Sequence, residues 1–154
     1  MIYKDLKSGI CVIMTEQVIR SIYMHCKASP TKETGGILIG YYAQNLKDAY
    51  ITEATPKPSD SIYGLTWFNR GITGLKEILI KRWSKGHYYL GEWHFHPGRN
   101  SIPSYTDTCQ MRSISKNTNY KCPEPILVIV SLSDSGFTLS LYVLLDGYME
   151  VLLA

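Results

Sequence analysis

The longest apolar runs in the sequence, Ile126–Leu132 and Phe137–Leu145, are of strand length and broken by polar residues. Neither approaches the roughly 18 to 20 apolar residues that a membrane span needs, so the chain is expected to fold as a globular sheet protein and not to insert in a membrane. A length of 154 residues fits a single domain, 1–154, that buries about two-thirds of its unfolded surface without disulfide or metal staples. With 45% hydrophobic and 19% charged residues it lies far from the disordered class.

The charge balance excludes one large class of partner. A net charge of +3 is mild, and the basic residues are scattered apart from Lys81-Arg82 and nearby Lys85, so there is no dense basic stripe for a nucleic acid. Cys11, Cys26, Cys109 and Cys122 form no C-x-x-C pair, and no basic segment followed by an apolar core opens the chain. A cytoplasmic protein with reduced thiols is the expectation.

Periodicity then divides the chain into elements. Ile10–Met14 reads as a buried strand, and Val18, Ile19, Ile22, Tyr23 and Cys26 recur at helical spacing until Ser29-Pro30. Gly35-Gly36 leads into an apolar strand that continues to Tyr42, a turn follows at Asn45–Asp48, and Ala49–Ala54 returns as the next strand. Leu65–Phe68 has strand composition, and Ile72, Leu75, Ile78, Leu79 and Trp83 predict a second amphipathic helix that Gly86 stops. Tyr88–His96 is an aromatic-rich strand ended by Pro97, and Ser104–Ser115 is a third helix. Ile126–Leu132, Phe137–Leu145 and Tyr148–Leu153 are the closing strands. The sum is an α/β or α+β fold, one mixed sheet flanked by about three helices.

The chemistry-bearing residues sit at three places on this plan. His94 and His96, two apart on a strand, project from one face, close enough to share a small ion. Ten residues separate His96 from Asp107, and Ser104 stands where a helix would begin, which puts Asp107 in its first turn. Two imidazoles and one carboxylate leave a tetrahedral corner open for water, the mark of a hydrolytic rather than a structural zinc site. A proton acceptor is then required, and Glu33, beside the flexible Gly35-Gly36 pair, is the candidate general acid/base. Ser104 is a second catalytic candidate, as a donor to an oxyanion.

Each residue alone has a plainer explanation. An H-x-H on a strand is more often structural or incidental, Ser104 and Asp107 match a helix capping box, and Glu33 alone would be an exposed loop carboxylate. The weight lies in their conjunction. His25 and His87 are read as structural, Cys11 and Cys26 as core, and Cys109 as a neighbour of the site whose role the sequence does not give.

The combination of Glu33 upstream, His94-Phe95-His96-Pro97, six residues, then Ser104-x-x-Asp107 resembles the JAMM motif of JAB/MPN-domain metalloproteases. The resemblance spans nearly the whole chain and implies the MPN/JAB, cytidine-deaminase-like fold. It also implies zinc-dependent cleavage at the C-terminus of ubiquitin-like modifiers, with His94, His96 and Asp107 as metal ligands, Glu33 as acid/base and Ser104 as oxyanion helper. Eukaryotic members usually carry serine or threonine where this chain has Phe95, whose side chain is expected on the opposite face of the strand.

More narrowly, Tyr89–Pro97 and Pro103-Ser104 look like the small bacterial JAB proteins. Those are encoded beside activating-like and conjugating-like enzymes in antiphage operons such as CBASS. The implied substrate there is a nucleotidyltransferase conjugated through its C-terminus. Pro56–Gly64 and Gly98–Pro103 are the expected substrate-contacting flanks, and Tyr63, Trp67 and Phe68 either touch the tail or pack in the core. The rival readings are a non-catalytic MPN-like scaffold, a RadC-like protein of DNA metabolism, and a hydrolase of small or peptidoglycan-derived substrates. Retention of every ligand, the lack of a basic stripe, and the lack of an export signal or fused domain argue against them in turn.

Overall fold

A computed structural model describes all residues from Met1 to Ala154. Ten strands and three helices alternate along the chain. They are β1 (Ile2–Lys4), β2 (Cys11–Met14), α1 (Glu16–Lys27), β3 (Thr34–Tyr42), β4 (Asp48–Ala54), β5 (Ile62–Tyr63) and β6 (Phe68–Asn69). Then come α2 (Leu75–Trp83), β7 (Tyr88–Pro97), α3 (Tyr105–Lys116), β8 (Ile126–Ser133), β9 (Gly136–Leu145) and β10 (Tyr148–Leu152).

Eight strands form one mixed sheet in the order β1-β2-β4-β3-β7-β8-β9-β10. The β2–β4 and β7–β8 pairs are parallel, across connections that contain α1 and α3, and the others are antiparallel. The sheet's two outer strands meet through a bridge between Lys4 and Leu153, which exchange backbone hydrogen bonds of 2.7 and 2.9 Å. Closing the ends in this way curls the sheet and removes an exposed edge there.

One face of the sheet wraps α1. Val18, Ile19, Ile22 and Cys26 from that helix pack with Met14, Leu38, Ile51, Trp93, Phe95 and Val128, among others. Thr15 caps the helix, its hydroxyl accepting from the Val18 N–H. The other face carries a smaller core in which Ile37, Ile39, Leu127 and Ile129 meet Leu75 of α2 and Met111 and Ile114 of α3. Strands β7 and β8 are therefore covered on both sides, which is why Ile126–Val130 is apolar at every position.

The elements expected from periodicity are present, with three differences. Leu65–Trp67 is not a strand but the tip of the β5–β6 hairpin, where Gly64 N–H bonds to the Trp67 carbonyl. Ile72 lies outside α2, whose start is set by Gly74 at φ 80°, and Trp83 is exposed, so α2 buries a narrower stripe than its pattern suggests. β1 was not foreseen; its three residues bury only Tyr3 and carry no readable period. Cys11 and Cys26 are buried as expected, and all four cysteines are free thiols. No helix is long and apolar enough to cross a membrane.

Candidate active site

The ladder between β3 and β7 builds half of the site. Strand alternation sends Trp93 and Phe95 toward α1, and Glu92, His94 and His96 to the face covered by α2 and α3. β3 runs antiparallel alongside, pairing Gly35 with His94 and Thr34 with Phe95, so Glu33 arrives one residue further on, level with His96. Both glycines are demanded by space. A Cβ on Gly35 would lie 2.4 Å from the Trp93 carbonyl oxygen and 2.9 Å from His94 Cδ2; one on Gly36 would lie 2.1 Å from the Thr55 carbonyl oxygen.

The other half comes from the N-terminus of α3. The Ser104 hydroxyl accepts from the Asp107 N–H at 3.1 Å while Asp107 Oδ2 accepts from the Ser104 N–H at 2.7 Å, a reciprocal capping box. The same hydroxyl donates its proton to Asp107 Oδ2 at 2.7 Å. This cap fixes the carboxylate over the strand. His94 Nδ1 and Asp107 Oδ1 are 2.7 Å apart, and His96 Nε2 stands 3.3 Å from Asp107 Oδ2.

His94, His96, Asp107 and Glu33 are all buried, with between 1 and 5% of their surface exposed. Burial disfavours a charged His94, but the bond to Asp107 and the facing Glu92 carboxylate outweigh it and raise the imidazole pKa to about 9. Burial likewise opposes ionisation of Asp107, yet His94, His96 and Ser104 hold it well below the usual carboxylate range. Glu33 accepts from the guanidinium of Arg99, which lies in the loop between β7 and α3. The β5–β6 hairpin leans on the same spot: Gly64 accepts from the Glu33 N–H, and the Phe68 ring meets the His94 ring edge-on at 5.4 Å.

His94, His96, Asp107 and Ser104 are in mutual contact, and Glu33 lies level with His96 in the β3–β7 register, in contact with Arg99. No three of the chain's His, Cys, Asp and Glu side chains are arranged to hold a metal ion, and His94 Nδ1 and Asp107 Oδ1 are in hydrogen-bond contact instead. His96 Nε2 is buried without a hydrogen-bond partner on the Asp107 side of the cluster, which is costly for an imidazole nitrogen unless something else satisfies it. By donor type, two imidazoles and a carboxylate nonetheless fit a divalent metal ion. Phe95 faces away as expected, Phe68 is core, and Trp67 stands about half exposed beside the site. His25 stacks on Trp93 and His87 lies 3.1 Å from the Thr52 hydroxyl, both away from the cluster. Cys109 is exposed on α3.

Three polar residues went unnoticed in the sequence. Arg99 is one; the others are Glu92, wholly buried, and Arg70, whose Nε donates to both Glu92 carboxylate oxygens at 2.8 and 2.7 Å. Glu92 had a signal, since it shares the two-residue period of His94 and His96. Arg70 and Arg99 had none, because only the folded chain brings them there.

Comparison with known proteins agrees with this picture. Residues 15–142 match the family described as prokaryotic homologs of the JAB domain. A "CD-NTase/cGAS isopeptidase" of Enterobacter hormaechei is 42% identical over 125 residues, 81% of this chain and 69% of the relative. A protein of the same description from Vibrio cholerae is 32% identical, covering 70% and 69%. A "probable metalloprotease" of Sinorhizobium fredii is 25% identical, covering 75% and 72%. The solution structure of protein DSY2949 from Desulfitobacterium hafniense superposes with a TM-score of 0.69 at 15% identity, over 91% of this chain and 88% of that one, a likeness of fold. A His-x-His strand, a capped aspartate and a glutamate at the start of the neighbouring strand, set on this fold and within this span, place the chain among the prokaryotic homologs of the JAB domain.

Proposed function

We propose that this chain is a zinc-dependent isopeptidase that cleaves a conjugated protein from its target at the modifier's C-terminal tail. The observation that supports the reading is the buried contact of His94 and His96 with Asp107, with the equally buried Glu33 level with His96 at the start of the neighbouring strand. A structural role alone gives no reason to bury so many ionisable groups together, since apolar residues there would be at least as stable.

His94, His96 and Asp107 would hold the metal. When bound, zinc polarises the scissile carbonyl and lowers the pKa of water. Glu33 takes the proton from the attacking water and passes it to the departing amine, which its place beside His96 permits. Arg99 orients Glu33 through its guanidinium contact. Ser104 holds Asp107, and its hydroxyl would serve an oxyanion by turning its one proton from Asp107 Oδ2 to the substrate oxygen. An extended tail lying past the β5–β6 hairpin would pair through its backbone, which tolerates varied sequences near the cut. Leu65 and Trp67, both exposed, flank that path.

The relatives' names point to a nucleotidyltransferase of the CD-NTase/cGAS kind as the conjugated protein. Its conjugates would be made by activating-like and conjugating-like enzymes. Four free thiols suit the reducing cytoplasm, where we place the reaction. The test is metal content together with cleavage of a modifier-like C-terminal fusion, for wild type, Glu33→Gln and chelator-treated protein. About one zinc per chain, with turnover lost in both controls and metal retained in Glu33→Gln, is expected. A folded protein that binds no metal and cleaves nothing would leave a binding scaffold in its place.

A further inference from the structure

Beneath His94 lies a polar network with no part in the chemistry above. Glu92 is completely buried, too deep in the sheet to reach a substrate. Its Oε1 accepts from Arg70 Nε at 2.8 Å and from the Tyr89 hydroxyl at 2.8 Å; its Oε2 accepts from Arg70 Nε at 2.7 Å. Arg70 is anchored in turn, donating to the Gly71 carbonyl and to the Tyr120 hydroxyl, each at 2.8 Å. The network thereby ties β7 to the β6–α2 connection and to the segment after α3.

Such a network is not explained by stability. Desolvating a carboxylate and a guanidinium costs several kcal/mol, and a packed apolar pair in the same volume is often equally or more stable. What the network does achieve is to immobilise one carboxylate oxygen against His94. Oε2 has only the Arg70 donor and faces His94 Nε2 at 3.8 Å, and that nitrogen has no hydrogen-bond partner. The opposite ring nitrogen faces Asp107 at 2.7 Å. The imidazole is held between two carboxylates, one at the site and one behind it.

We propose that Glu92, locked by Arg70 and Tyr89, is a positioning residue for His94. It accepts the N–H of the rear ring nitrogen, so that the ring is fixed in rotation and its front nitrogen is presented to the metal. At 3.8 Å the pair is outside hydrogen-bond range, so the contact requires the His94 ring to move toward the fixed carboxylate. Carboxylates behind metal-binding imidazoles raise metal affinity by about 10- to 100-fold. The inference rests on the proposed metal reading and adds a determinant outside the sequence motif.

The experiment measures zinc affinity of the metal-free protein by competition with a chelating dye, alongside its melting temperature and the absorption spectrum of the cobalt-loaded form. Three proteins are compared: wild type, Glu92→Gln, and the double variant Arg70→Met/Glu92→Met, which removes the pair without stranding one buried charge. The double variant is expected to bind zinc about 10- to 100-fold more weakly with a shifted cobalt spectrum. Glu92→Gln, which keeps an acceptor, should fall between. Wild-type affinity and spectrum in the double variant, whatever its melting temperature, would overturn the proposal and make the network purely structural. Should the double variant not fold, unchanged affinity and spectrum in Glu92→Gln overturn it equally. Absence of zinc binding by wild type is a different result, which removes the metal reading itself and this inference with it.

Discussion

Ser104 has two assigned tasks, and they can be separated because alanine and glycine differ as helix caps but not as hydroxyl donors. In Ser104→Ala the α3 cap is lost, at about 1 kcal/mol, together with the hydroxyl bond to Asp107, at up to about 1 kcal/mol more. At this chain length roughly 1–2 kcal/mol corresponds to a fall of about 3–6 °C in melting temperature. Glycine caps only a few tenths of a kcal/mol less well than serine, so Ser104→Gly should melt nearer to wild type. If the hydroxyl stabilises the oxyanion, turnover falls about 100-fold in both variants alike. The assay is thermal unfolding by circular dichroism paired with cleavage of a tail fusion well below both melting temperatures. Turnover that tracks stability, lost in alanine and regained in glycine, would refute the oxyanion role and leave Ser104 as a cap.

The other predictions concern the cluster and its packing. Asp107→Ala should lower zinc stoichiometry well below one per chain; a normal stoichiometry would remove Asp107 from the ligand set. In metal-free protein, folding raises the His94 pKa from 6.5 to about 9. The stabilisation is therefore complete below pH 6.5 and disappears as the pH rises through 9, a loss of roughly 3 kcal/mol visible in urea melts of chelated protein. A flat profile between those values would contradict the buried His94–Asp107 pairing. Gly36→Ala must displace the Thr55 carbonyl and the Trp93 indole that donates to it, a loss of about 2–3 kcal/mol that equilibrium unfolding would register.

The parts of this molecule that were legible in the sequence are those governed by local rules. The period of two on β7 put His94 and His96 on one face and Phe95 on the other; the Ser104-to-Asp107 spacing announced the cap that aims the carboxylate. Glu33 was legible only through its place beside two glycines and through the family motif. What stayed hidden depends on meetings across the sheet. Arg70 and Tyr120 are 50 positions apart, and nothing local to either foretells their contact. The strand assigned to Leu65–Phe68 held only at Phe68, for a different reason: Trp67 favours a strand, but the Gly64–Trp67 pairing turns the chain first. Periodicity overstated α2 as well, since Ile72 and Trp83, at the two ends of the expected stripe, are exposed.

The architecture also divides the site by rigidity. Strand β7 is paired on both sides, antiparallel to β3 and parallel to β8, so a slip of one residue would turn both histidines into the α1 core and expel Trp93 and Phe95. That cost fixes His94, His96 and, through the β3 register, Glu33. Asp107 belongs to a different body. It rides on a helix cap at the end of a loop, and Arg99, which holds Glu33, lies within that same loop. Any movement of the 98–103 segment would therefore change the carboxylate facing the histidines and the partner of Glu33 together. The histidines would stay where the sheet holds them. A tail engaging this loop would act on both carboxylates at once, which couples substrate contact to the geometry of the reacting groups without any displacement of the sheet.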